Sequence, residues 1–101
     1  MSLTESEIGI IREYLSHQPI LRAYVFGSYA REQATPDSDV DLLVELDYSQ
    51  HIGLGFLGMK YDLEEKLKKE IDLISANGIS KYIEPSIMKD KVLIYLANYT
   101  N

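Results

Sequence analysis

Two carboxylates separated by one residue are the strongest chemical feature of this chain of 101 residues. Asp39 and Asp41 begin an apolar run, which predicts a β-strand. Alternate side chains of a strand point to the same face, so both acids would lie on one face with their Cα atoms roughly 6.5–7 Å apart. Such a pair can hold Mg²⁺, which prefers a few carboxylates together with water and substrate phosphate oxygens. A solvated strand edge carrying two surface acids is the alternative.

A glycine–serine pair lies upstream of these acids, with ten residues between Ser28 and Asp39. It follows the apolar run 23–26, which predicts a buried strand. Gly27 would allow the backbone to approach a ligand closely, and Ser28 is predicted to cap a short helix over residues 29–33. Free N–H groups at the start of a helix attract phosphate oxygens. The pair therefore predicts a phosphate-binding turn, although an ordinary strand–turn–helix connection would have the same sequence.

A third acid, Asp72, lies within a second strand-like run at residues 70–74. An unpaired carboxylate among large aliphatic side chains is costly, so Asp72 should have a partner or lie at a strand end. If its strand pairs with residues 39–46, the three acids converge, and they would repel one another unless a cation neutralised them. An exposed acid on an edge strand is the alternative.

Composition limits the classes of function. The chain has a formal net charge of −6, and residues 25–47, which contain the Asp-x-Asp pair, carry −5 of it. Without a cluster of lysine and arginine, broad binding to nucleic acid is not expected. The absence of cysteine excludes disulfides and thiolate zinc sites. No apolar run is long enough to span a membrane, and the first residues do not resemble a signal peptide, so we expect a cytoplasmic location.

The periodicity of apolar residues predicts one domain over residues 1–101, with helices and strands in alternation. The predicted class is α/β (α+β), with a small mixed β-sheet flanked by helices. The Thr4–Glu7 capping box predicts the start of a first helix, and strands are predicted at 21–26, 39–46 and 71–74. Two further helices are predicted: the short one after Ser28, and one with the apolar stripe Phe56, Met59, Leu63 and Leu67. After Pro85, a last helix is predicted with one face formed by Met88, Val92, Tyr95, Leu96 and Tyr99.

Taken together, Gly27-Ser28, Arg31, the run from Ser38 to Val44 and Asp72 resemble the minimal nucleotidyltransferases, the small-domain branch of the DNA polymerase β-like superfamily. The resemblance covers nearly the whole chain and implies the nucleotidyltransferase fold. It implies a site for two Mg²⁺ ions formed by Asp39, Asp41 and Asp72. It also implies transfer of a nucleoside monophosphate, AMP from ATP, with release of pyrophosphate. Many such proteins resemble antitoxins of the MntA type, which pair with a HEPN-domain toxin and adenylylate one of its tyrosines.

The nucleotide-binding residues implied by the motif are Gly27, Ser28, Arg31 and Ser38. The glycine–serine pair would hold the β- and γ-phosphates. Arg31 would neutralise triphosphate charge or, equally, pair with Glu32 or Asp37. For Ser38, we favour bracing of the turn before Asp39.

Family members often carry glycine where this chain has Glu32, which leaves the nucleotide pose open. A non-catalytic subunit that neutralises its partner by docking is the alternative function. We favour the enzyme, because a docking module gains nothing from three repelling carboxylates. Assembly into a homo- or hetero-oligomer is left open.

Overall fold

The computed structural model describes residues 1–97. Its helices and strands confirm the predicted class, a small mixed sheet with helices. In chain order the elements are α1 (Glu5–Leu15), β1 (Ile20–Phe26), α2 (Gly27–Ala30), β2 (Val40–Leu46), α3 (Gly55–Leu67), β3 (Ile71–Ser75), a 3₁₀ turn (Ala76–Gly78), α4 (Glu84–Asp90) and β4 (Val92–Leu96). Among these described residues, no helix combines the length and the apolar character needed to cross a membrane.

The four strands form one sheet in the order β3-β2-β1-β4. Strand β2 pairs parallel to β3 and antiparallel to β1, and β1 pairs antiparallel to β4. The end of β1 therefore lies at the same end of the sheet as the beginnings of β2, β3 and β4. The sequence motifs fall at this end, because the glycine–serine turn follows β1 and the acids stand at the beginnings of β2 and β3.

The side chains of strand β2 alternate between the face of the sheet that packs in the core and the face that carries Asp41. Val40, Leu42 and Val44 are fully buried on the face that packs against α1 and α3. Alternation then places Asp41 and Glu45 on the opposite face, where they are only partly buried. The predicted burial of Val40, Leu42 and Val44 is confirmed, and Leu43, on the same face as Asp41, is buried as well.

Helix α1 begins where the capping box predicts. The Thr4 hydroxyl accepts a hydrogen bond from the backbone N–H of Glu7 at 3.1 Å, and the Glu7 carboxylate accepts one from the backbone N–H of Thr4 at 3.0 Å. These bonds satisfy two N–H groups that the helix itself leaves unpaired. With its N-terminus fixed in this way, α1 buries Ile11 and Leu15 in the core.

The predicted extent of the last helix is wrong. Helix α4 ends at Asp90, and Val92–Leu96 forms strand β4 instead of continuing the helical face. The open edge of β1 provides backbone partners for this apolar run, and Ile94 becomes buried in the core. A short apolar run suits either structure, so tertiary pairing decides between them. Tyr99, the last residue of the predicted face, lies outside the described residues.

Candidate active site

Asp41 and Asp72 occupy paired positions on the adjacent parallel strands β2 and β3. Residues in register on neighbouring strands present their side chains to the same face, so the two carboxylates lie side by side on the sheet. Asp39 directly precedes β2, where its side chain is exposed, as is that of Asp72. The structure thus brings two of the predicted acids together on one face of the sheet and places the third at its rim.

The pKa of Asp41 reflects the acids that surround it. Burial, together with the negative charges of Asp72 and Asp39, raises the pKa of Asp41 from 3.8 to about 6, although the positive charge of Arg31 opposes the shift. A carboxylate beside like charges in a partly buried position favours its protonated form. The neighbouring acids therefore destabilise the charged form of Asp41, and a bound cation would relieve that cost.

The donor set fits Mg²⁺, although it does not form a closed cage. Within residues 1–97, no three His, Cys, Asp or Glu side chains are arranged to hold a metal ion as they stand. The carboxylates would have to rotate to share one ion. Mg²⁺ is commonly held by one or two carboxylates, with substrate phosphates and water completing its shell. An open pair of acids with a third at the rim suits that mode of binding.

Gly27 lies directly against the Asp41 carboxylate. Its φ of +72° is in the left-handed region, which side chains other than glycine rarely adopt. A Cβ atom built at this position would collide with Oδ2 of Asp41. Glycine is therefore required here both for the turn and for the space beside the acid, which places the turn next to the carboxylates as predicted.

The predicted role of Ser28 as a helix cap is wrong, and so is the predicted helix over residues 29–33. Helix α2 begins at Gly27 and ends at Ala30, with Phe26 at the N-cap and no capping side chain. The carbonyl of Gly27 accepts the N–H of Arg31 at 3.1 Å, which starts the helix two residues early and places Ser28 in its first turn. In the described part of the chain, the Ser28 hydroxyl makes no hydrogen bond to protein, so it is available to a ligand.

Arg31 has a partner that sequence reasoning missed. Its Nη1 donates to Oδ2 of Asp90 at 2.5 Å and its Nε to Oε1 of Gln33 at 3.1 Å. The structural alternative predicted for Arg31, a pair with Glu32 or Asp37, is therefore wrong in its partners. Asp90 is 59 residues away in the chain, and no local pattern indicates it. Binding of nucleotide by Arg31 stays a prediction.

Ser38 braces the loop before Asp39. Its hydroxyl accepts the backbone N–H of Thr35 at 2.9 Å, and its own N–H donates to the Thr35 carbonyl at 3.0 Å. The N–H of Val40 then donates to the Glu70 carbonyl at 2.9 Å, which joins the loop to β3. The structure thus gives Ser38 the bracing role favoured from the sequence, while contact with nucleotide stays a prediction.

Glu32 occupies a position that suits glycine. Its φ is +60°, in the left-handed region, and its side chain is largely exposed. The backbone therefore keeps the conformation that the glycine of related sequences would favour, at some cost in strain. The Glu32 carboxylate pairs with the N-terminal amino group of Met1 at 2.6 Å, and Glu32 is not among the charges that shift the pKa of Asp41.

The mixed sheet, the turn after β1 and the acids at the beginnings of β2 and β3 define a nucleotidyltransferase fold. A solved structure described as a candidate minimal nucleotidyltransferase matches it with a TM-score of 0.73 and 26% identity, over 86% of this chain and 88% of that one. Residues 10–100 match the family model described as "Polymerase beta, Nucleotidyltransferase". The chain belongs to the polymerase β nucleotidyltransferase family and is a nucleotidyltransferase.

Within this family the chain is similar to protein adenylyltransferases. It is 37% identical over 92 residues to a Methanocaldococcus jannaschii protein named as a candidate protein adenylyltransferase, a match covering 91% of this chain and 97% of that protein. It is 33% identical over 70 residues to the protein adenylyltransferase MntA of Thermococcus cleftensis, covering 69% and 70%. A toxin–antitoxin crystal structure with AMP-PNP has the same fold, with a TM-score of 0.72, 18% identity and coverage of 95% and 76%.

Proposed function

We propose that this protein transfers AMP from ATP to a tyrosine hydroxyl of a HEPN-domain toxin, and that it acts as the antitoxin of that partner. The observation that carries the proposal is the pairing of Asp41 with Asp72 beside the turn at Gly27. In this arrangement, carboxylate oxygens that would suit a metal ion lie next to backbone and hydroxyl donors that would suit phosphates. Nucleotidyl transfer needs both groups of atoms in one place.

The acids would hold two Mg²⁺ ions through the carboxylates of Asp39, Asp41 and Asp72. Two ions held there would supply positive charge that stabilises the attacking and leaving oxygens of a phosphoryl displacement. The exposure of Asp72 leaves its carboxylate accessible to an acceptor hydroxyl from another chain, whose proton it could accept. Asp41 is the most enclosed of the three and would keep a fixed position between the other two.

The phosphates would lie along the turn that follows β1. The free hydroxyl of Ser28 would donate to a β- or γ-phosphate oxygen, and the backbone at Gly27 can approach the ligand without a side chain in between. The positive charge of Arg31 already acts on Asp41, so it lies close enough to offset triphosphate charge. Together these groups would hold ATP with its α-phosphate near the acids.

The choice of AMP and of a HEPN partner is supported by the names of similar proteins. The MntA relative is named a protein adenylyltransferase. A Shewanella oneidensis complex of the same fold contains a tri-AMPylated HEPN toxin with its MNT antitoxin. The described chain also has little room for a large acceptor site, and the exposed face that carries Asp72 is open to a second protein.

A transfer assay tests the proposal. The protein is incubated with ATP labelled at the α-phosphate, Mg²⁺ and a HEPN-domain partner, and the proteins are separated and counted. We expect label on a tyrosine of the partner, and we expect none when EDTA removes the metal. Mass spectrometry of the partner would locate the added AMP. A tight complex that acquires no label would contradict the proposal and support inhibition by docking alone.

A further inference from the structure

Asp90 is an acid of α4 whose carboxylate is largely removed from water. It is the last residue of the helix, and its side chain is only 13% exposed. A carboxylate removed from water to this degree needs a compensating charge or hydrogen bonds. Its partner in the structure is the guanidinium of Arg31, with Nη1 and Oδ2 2.5 Å apart. This ion pair joins α4 to the turn that carries the proposed phosphate-binding residues.

The position of Asp90 follows from the sheet. Strand β4 begins at Val92, which pairs with Val25 near the end of β1. Asp90 therefore lies at the same end of the sheet as the acids and the turn at Gly27. Helix α4 packs against α2, the helix that immediately precedes Arg31. Asp90 thus approaches Arg31 from the side of the edge strand β4, while the acids of β2 and β3 lie toward the opposite edge, formed by β3.

The guanidinium of Arg31 is held by two acceptors and has further N–H groups that could donate to a ligand. Asp90 and Gln33 accept from Nη1 and Nε. An arginine side chain has five N–H donors in a rigid planar fork, so fixing two of its nitrogens sets the direction of the rest. The side chain is 43% exposed, which leaves the remaining donors accessible.

We propose that Asp90 is a positioning residue of the nucleotide site, which holds Arg31 in the orientation that presents its free N–H groups to the phosphates of ATP. This inference rests on the proposed function. Arginine is suited to the task, because its fork binds phosphate through parallel hydrogen bonds and loses that geometry when the side chain rotates. Asp90 acts through Arg31 and does not itself touch the nucleotide.

A purely structural role for Asp90 makes a different prediction. Ile87 is the buried residue of α4, so the ion pair also helps to attach this helix to the protein. If attachment were its whole role, Asp90→Asn would lower the melting temperature and leave nucleotide binding by the folded protein unchanged. A positioning role requires that Asp90→Asn weakens nucleotide binding and that this loss disappears once Arg31 is removed, because Asp90 acts only through Arg31.

Binding of a non-hydrolysable ATP analogue with Mg²⁺, measured by calorimetry, separates these roles. We expect Asp90→Asn to weaken binding by about three- to tenfold, the range of a partly exposed charge pair. In an Arg31→Gln background the same change should alter binding by less than about 1.5-fold. Asp90→Glu, which keeps the charge, should recover part of the affinity. Glu84→Gln, at the exposed beginning of the same helix, is the matched control and should bind as the unaltered protein does.

Three outcomes would overturn the inference. An equal loss in both backgrounds would show that Asp90 acts independently of Arg31, and unchanged binding by Asp90→Asn would leave it only the attachment of α4. In either case the unaltered protein still binds the analogue, and the proposed function stands. If the unaltered protein binds no nucleotide at all, the proposed function fails together with the inference.

Discussion

Asp41→Asn is expected to reduce AMP transfer by about a thousandfold or more, a loss of several kcal/mol of transition-state stabilisation. Asp41 pairs with Asp72 across the two strands, lies two residues from Asp39, and contacts the turn at Gly27. Asparagine has nearly the same shape but lacks the negative charge that a metal ion needs. The initial rate of label transfer at saturating ATP measures the loss.

Asp37→Asn is the matched control for this experiment. Asp37 lies in the same acidic segment, is exposed, and precedes the loop brace at Ser38. The substitution makes the same change in net charge, so we expect its rate to stay within about twofold of that of the unaltered protein. Equal losses in both variants would assign the effect to the charge of the segment. Full activity in Asp41→Asn would contradict the proposed site.

The same Asp41→Asn substitution is expected to stabilise the folded protein above pH 6. Burial and the charges of Asp72 and Asp39 raise the pKa of Asp41 to about 6 in the folded state, from 3.8. Between these values the folded state binds more protons than the unfolded state, so stability is lost as the pH rises. The full shift corresponds to about 3 kcal/mol, and solvent around this partly exposed group reduces that to about 1–2 kcal/mol.

Thermal unfolding at several pH values tests this expectation. At pH 8 the variant should melt about 5–10 °C higher than the unaltered protein, given the size of the domain. The difference should shrink as the pH falls from 6 towards 3.8 and vanish below about pH 3, where Asp41 is protonated in both states. Asp72→Asn should reduce the pH dependence of the otherwise unaltered protein, because it removes one of the repelling charges. A variant that is less stable at pH 8 would show that Asp41 is not under electrostatic strain.

The sequence was sufficient for the parts of the site that depend on local patterns. Alternation of apolar residues predicted β2 from residue 39, and the strand begins at Val40. The capping box at Thr4 predicted the start of α1. The approach of Asp72 to Asp41 required one further assumption, that β3 pairs with β2, and the observed register meets it.

The remaining features depend on contacts between distant parts of the chain. The run Val92–Leu96 fits either a helix or a strand, and only the open edge of β1 makes it a strand. The Arg31–Asp90 pair joins residues far apart in sequence, so no local sequence pattern predicts it. The early start of α2 follows from the positive φ of Gly27 and its contact with Asp41, neither of which a capping rule includes.

The most direct test of the site is a crystal structure with Mn²⁺ and a non-hydrolysable ATP analogue, using the anomalous scattering of manganese. Mn²⁺ accepts the same oxygen ligands as Mg²⁺ and can be located independently of the protein. We expect anomalous peaks between the carboxylates of Asp41 and Asp72, with the phosphates of the analogue along the turn at Gly27. Nucleotide and metal bound together elsewhere on the protein, with these carboxylates free of metal, would contradict it.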